Sequence, residues 1–153
     1  MGRIEQKLKE LGIVLPPPPK VPGRYFPWMR SGNLLFIPSQ FPWQEGKIVF
    51  KGKVPTQINE EQAKEALKLC LFNALSVIKS AIGELDEIRK FLKLKVLVNC
   101  EPDFENLIEI TDPTSQLLLD IFGKAGEHII SVQGALSLPF GACTSLDILL
   151  EVV

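Results

Sequence analysis

From Ala63 onward apolar residues recur every three to four positions (Ala63, Ala66, Leu67, Cys70, Leu71, Ala74, Leu75, Ile78 and Ile82), the spacing of a helix with one buried stripe. Asn59 stands just ahead of that run with Gln62 three residues on, a pairing in which side chains and backbone cap each other, and Gly83 suits the residue after the last turn. The pattern predicts a helix over 59–82. A shorter amphipathic stretch, Arg3 to Leu11, sets Ile4, Leu8 and Leu11 among Lys and Glu and stops at Gly12. A further helical region runs from about 104 to 122. Its clearest start is Asp112-Pro113, a capping residue followed by one that loses nothing at the first helical position. Leu117, Leu118, Ile121 and Phe122 form its apolar face, and Gly123 ends it.

Strands show as period two. Between Arg89 and Asn99, Leu92, Leu94, Val96 and Val98 alternate with Lys93 and Lys95, and Pro102 closes the run. His128 to Leu136 and Ser145 to Val152 read as two more strands around a turn at Pro139-Phe140-Gly141. Nearer the N-terminus, Arg24 to Arg30 and Asn33 to Ser39, joined at Ser31-Gly32, read as a hairpin, with a third short strand within Lys47 to Val54 after a turn at Glu45-Gly46. Pro16 to Pro19, followed by Pro22 and Gly23, excludes helix and favours a stiff extended strap. The order β-β-β-α-β-α-β-β predicts an α+β fold, an antiparallel-rich sheet with two helices on one face. The other face, carrying Phe91 or Leu97 and part of the first hairpin, needs a cover, and self-association is the usual one.

At 153 residues, with 46% hydrophobic and 23% charged side chains, the chain reads as a single globular domain over 1–153, with residues 1–22 as an N-terminal helix and strap. A net charge of −1 offers neither the basic surplus nor the basic stripe that nucleic-acid binding asks for. No apolar run is long enough to span a bilayer, and MGRIEQKLKELG lacks the apolar core of a signal peptide. Three well-separated cysteines (Cys70, Cys100, Cys143) then read as reduced thiols of a cytoplasmic protein. The only histidine, His128, rules out acid–base catalysis by a histidine pair and reads as structural. Cys100 has no base set beside it by sequence. Glu60, Glu61, Glu84, Asp86 and Glu87 fall at helix ends, where solvated charge is the ordinary explanation. No metal-ligand spacing and no glycine-rich phosphate loop occurs, so neither a metal site nor a nucleotide phosphate cradle is expected.

Three stretches carry more. Gly23-Arg24-Tyr25 leads into Ser31-Gly32-Asn33-Leu34-Leu35-Phe36 and then Ser39-Gln40-Phe41-Pro42; Val96 to Phe104 reads VLVNCEPDF; and from His128 follow Leu138-Pro139 and a final strand. Together they resemble the RidA/YjgF family, also called L-PSP endoribonuclease-like or translation-initiation-inhibitor-like proteins. The opening IEQKLKELG with its LPPPP tract is similar to one subfamily of it. The resemblance implies a chorismate-mutase-like α+β fold and a homotrimer whose sheets face an inner barrel, with small-molecule clefts between neighbouring subunits. It also implies cofactor-independent hydrolysis of reactive enamines and imines, such as 2-aminoacrylate, to a 2-keto acid and ammonia. An arginine would fork onto the substrate carboxylate, and a last-strand Glu or a water near it would assist proton transfer.

Carried over residue by residue, the resemblance is uneven. Tyr25 and Phe104 match ligand-cleft positions. The glycine of the family's S-G-Q turn is replaced by Ser39. The arginine position, just before Ser131, holds Ile130; the last-strand Glu position holds Ser145, with Asp147 kept two residues on. The cleft is therefore expected at Tyr25, Ser39, Phe104, Ile130 and Ser131, with its catalytic residues unassigned. A carboxylate facing Ile130 forgoes charge-assisted hydrogen bonds of about 1.5–3 kcal/mol each. The expectation is a divergent member that binds a small, less acidic metabolite, with deaminase activity weak or absent. Three alternatives stand beside it: a deaminase using Arg24, Arg30 or a neighbour's Lys; an endoribonuclease or translation inhibitor; and a chaperone-like binding protein.

Overall fold

The computed structural model describes residues 2–153. Helix α1 (Arg3–Glu10) begins with amides that lack partners of their own, and Asp86 supplies them: the N–H groups of Arg3 and Ile4 donate to its two carboxylate oxygens at 2.9 and 2.8 Å. Asp86 is thus a helix cap supplied from a distant part of the chain, where solvated charge was the expectation. The Ile4 amide above all holds its carboxyl below the usual carboxylate range. Ile4 and Leu8 are buried in the main core. The proline strap then runs along the second helix, where the Ser76 hydroxyl donates to the Pro16 carbonyl.

The first hairpin is shorter than its apolar pattern suggests, with β1 at Met29–Ser31 and β2 at Leu34–Gln40. Arg24 to Trp28 stay outside the sheet as a bent segment, because Pro22 and Pro27 withhold the amides that pairing needs. Gly32 turns the hairpin at φ +57°. The third strand is also corrected. Trp43–Gln44 (β3) and Lys47–Ile48 (β4) form a separate two-stranded ribbon around Glu45 and Gly46, both at positive φ. Beyond Ile48, positive φ at Phe50 and Gly52 breaks the extended run, leaving isolated bridges from Lys51 to Ala142 and from Val54 to Cys100.

Helix α2 (Glu60–Ile82) starts as its sequence predicts: the Gln62 amide donates to Asn59 Oδ1 at 2.8 Å, and the Asn59 amide to Gln62 Oε1 at 3.0 Å. Strand β5 (Ile88–Asn99), helix α3 (Leu107–Phe122), and strands β6 (Ile129–Ala135) and β7 (Thr144–Val152) complete the fold. Helix α3 does not begin at Asp112-Pro113. It begins at Leu107, and Pro113 lies inside it. Proline costs the helix one hydrogen bond, to the Glu109 carbonyl. Burial of Ile110 and partial burial of Leu107, each a large aliphatic side chain, outweighs that loss and extends the helix back past the proline.

The main sheet has the order β1-β2-β7-β5-β6, antiparallel except for the β5–β6 pair. Its helix side collects Leu35, Ile37, Leu94, Val96, Val98, Leu146, Ile148, Leu150 and Val152. Phe91 belongs there too, not on the open side. The register steps from Phe91↔Leu150 to Lys93↔Leu149, so Leu92 is an extra residue and the bulge turns Phe91 inward, edge-on to Phe122 at 4.9 Å. Leu97 does face the other way, under a small cluster of Phe41, Leu138 and Ala142. Among the described residues, no helix is long and apolar enough to cross a membrane.

Candidate functional site

Side chains alternate along each strand, so strand register reads out what the uncovered face of the sheet presents. One row crosses it as Phe36, Leu149, Lys93 and Ile129, and the next as Asp147, Lys95 and Ser131. Over these rows the strap brings its last residues. Together they enclose a cleft of about 660 Å³ lined by Arg24, Tyr25, Phe26, Trp28, Met29, Phe36, Lys93, Lys95, Asp147 and Leu149. At its edge the Ser39 hydroxyl donates to Asp147 Oδ1 at 2.6 Å. The bulge between Ile37 and Gln40 turns Ser39 to this side.

The cleft is cationic. Arg24, Lys93 and Lys95 line it against the single carboxylate of Asp147, and among the described residues none of the three pairs with a carboxylate. Tyr25, Phe26, Trp28 and Phe36 give the cleft an aromatic lining. Arg30, the other arginine of the hairpin region, is spent on structure: its Nε donates to the Gly32 carbonyl and its Nη2 to the Val153 carbonyl, both at 2.9 Å.

The residues read from the sequence fall on two sides. Tyr25 lines the cleft, Ser39 is tied to Asp147 in it, and Ser131 lies on the same sheet face, beside Lys95. Ile130 pairs with Leu94 and, like Phe104, packs against the helix-side core. A single chain therefore gathers Tyr25 and Ser39 but not Phe104 and Ile130. Lys93 and Lys95 escaped the sequence reading as site residues because they served there only as the polar half of a strand alternation. The signal was present: lysines at alternate positions share one face, and that face was the one expected to need a cover.

The remaining reactive groups are structural. The Gly126 carbonyl can only accept, so His128 Nδ1 donates to it at 2.6 Å, leaving Nε2 to accept from the Ser115 hydroxyl at 2.9 Å. That arrangement pins the start of β6 to α3. Cys70, Cys100 and Cys143 are all buried free thiols. Burial raises each thiol above its ordinary value, to about 12 for Cys143; at Cys100 nearby Lys53 partly offsets it. Lys53 itself donates to Asn99 Oδ1 at 2.9 Å and to the Leu136 carbonyl, closing the far end of the sheet. Among the described residues no three His, Cys, Asp or Glu side chains gather as metal ligands.

Comparison with known proteins places this geometry among relatives. The family described as "YjgF/chorismate_mutase-like, putative endoribonuclease" matches residues 5–151. Protein TCP17 of Trypanosoma cruzi is 30% identical over 151 residues, covering 98% of this chain and 94% of its own. The crystal structure of Atu1372 from Agrobacterium tumefaciens, of unknown function, superposes with a TM-score of 0.90 at 35% identity, over 98% of this chain and 93% of that one. A "putative endoribonuclease" from Shewanella oneidensis gives 0.94 at 27% identity, over 99% and 100%.

Proposed function

The chain belongs to the YjgF/chorismate-mutase-like family, and from that premise we propose that it forms a homotrimer whose open sheet faces meet around clefts that bind a small carboxylate-bearing metabolite. The observation that carries this reading is the set of Arg24, Lys93 and Lys95 around one aromatic-walled cleft, with Asp147 already engaged by Ser39. An anion entering it meets three cations that form no ion pair with a carboxylate among the described residues. A less acidic ligand was the expectation while Ile130 stood for the ligand's anchor. With Ile130 packed on the helix side, the cleft's own cations favour the acidic one.

The trimer is supported by the apolar side chains on the same face. Met29, Phe36 and Ile129 are 59%, 44% and 67% exposed. A patch of that kind on a soluble domain marks a contact surface, and closed rotational symmetry is the common way to cover it. A neighbour docked there could also bring Ser131, which lies on the open face, to the cleft from its own chain.

The Ser39–Asp147 pair favours a second, narrower reading, the enamine or imine hydrolysis implied by the resemblance. The Asp147 carboxylate, held by Ser39, would take a proton from water as the water oxygen bonds to the imine carbon and return it to the nitrogen. The carbinolamine hydroxyl then gives its proton to the same nitrogen, and the C–N bond breaks to release ammonia as the carbonyl forms. Strand cutting of RNA, suggested by the relatives' printed names, is disfavoured. The one histidine already spends both ring nitrogens on Gly126 and Ser115, and the net charge is −1.

Light scattering with size exclusion should give three times the chain mass, and calorimetric titration should detect pyruvate or phenylpyruvate. A monomer that binds neither overturns the proposal. Release of ammonia and 2-keto acid from freshly generated 2-aminoacrylate then decides the hydrolytic reading.

A further inference from the structure

Resting on the reading of the cleft as a carboxylate site, we infer that Arg24, carried by the N-terminal strap, is the residue that grips the ligand's carboxylate. Of the three cations in the cleft it alone has a planar fork of donors, which matches the two oxygens of a carboxylate where an ammonium offers a point charge. Unlike Arg30, whose guanidinium is committed to two backbone carbonyls, Arg24 pairs with no carboxylate among the described residues.

The backbone around it is set rather than loose. A Cβ on Gly23 would lie 2.8 Å from Tyr25 Cε2, so glycine leaves room for the Tyr25 ring to lie back over residue 23. This contact seats the Tyr25 ring beside the bend that carries Arg24. Upstream, the Ser76–Pro16 hydrogen bond ties the strap to α2, and the polyproline segment transmits that anchorage with little slack. The strap also brings Tyr25, Phe26 and Trp28, so the group that would hold the anion and much of the apolar wall arrive on one segment. The ligand class that fits is a carboxylate joined to an apolar or aromatic body.

Phenylpyruvate and its uncharged counterpart phenylacetone test this, read through calorimetry and through the combined fluorescence of Trp28 and Trp43. The wild-type protein should bind phenylpyruvate and not phenylacetone. Arg24→Ala should weaken phenylpyruvate about 10- to 100-fold, and Arg24→Lys by less, since charge survives and the fork does not. Arg30→Ala removes the same charge away from the cleft and should leave the affinity within about 2-fold; circular dichroism checks that each variant is folded. Equal binding by wild type and Arg24→Ala overturns the inference while leaving the carboxylate cleft standing, with Lys93 or Lys95 as its anchor. Phenylacetone bound as tightly as phenylpyruvate overturns it too, because nothing then holds the anion. Failure of the wild type to bind phenylpyruvate removes the underlying reading and the inference together.

Discussion

The two faces of the central sheet are built from the same strands, yet they obey different rules. On the helix side, Leu94, Val96, Leu146 and Leu150 are fully buried within the main hydrophobic core. On the open side, the positions between them carry Lys93, Lys95, Asp147 and Leu149, a mixture that no isolated core would tolerate. The alternation that makes a strand therefore also separates two tasks. One set of residues holds the fold together, and the interleaved set is free to bind. Substitutions should divide the same way, by parity along the strand rather than by position in the sequence.

The largest effect should come from the helix side. Leu94→Ala is expected to cost about 2–5 kcal/mol, through lost burial and the cavity left between sheet and helices. Lys95→Ala next to it should leave chemical denaturation within about 0.5 kcal/mol of wild type while reducing carboxylate affinity. If both residues moved stability alike, the division between the faces would fail. His128→Ala comes next, at about 1–3 kcal/mol for two hydrogen bonds, again seen in urea unfolding and without effect on ligand affinity.

The cap on α1 sharpens the comparison at the margin of the core. Asp86→Ala should cost about 0.5–2 kcal/mol, as loss of a helix cap does. The Asp86 carboxyl is held below its ordinary range in the folded protein, so the cap contributes fully at neutral pH and fades as pH falls below the unfolded value near ~3.9 and through the folded one. Wild type and Asp86→Ala should therefore differ in melting temperature at pH 7 and converge toward pH 2. The smallest effect belongs to the thiols. With Cys70, Cys100 and Cys143 buried and their thiols raised, native protein should resist iodoacetamide and react only once unfolded, as mass spectrometry would show.

Much of this was legible beforehand wherever the deciding physics is local. The Asn59–Gln62 capping box needs four residues and no tertiary partner, and it stands as the spacing predicts. Where a distant partner intervened, local signals misled. Asp112-Pro113 is a sound helix start in isolation, but Ile110 finds a core position and carries the helix back to Leu107. Asp86 looks like loose surface charge until α1 brings two unpaired amides to it. Tyr25 and Ser39 were expected in the cleft through motif resemblance, and Tyr25 lines it while Ser39 bonds to Asp147 at its edge. Lys93 and Lys95 were passed over because a charge on an alternating strand acquires a meaning only when one knows which face stays uncovered.

The amino-acid sequence alone determined the kinds of element, their order, the family resemblance and the parity of each strand, since periodicity and capping are short-range effects of backbone geometry. Which parity faces the helices past a bulge was left to the tertiary structure: the extra residue at Leu92 turns Phe91 inward, and no local preference encodes that slip. The fold likewise decided that Ile130 packs on one side of the sheet while Arg24 reaches the other. Such placements depend on the register of strands far apart in the chain and on where a stiff proline strap comes to rest, quantities set by the packing of the whole molecule at once.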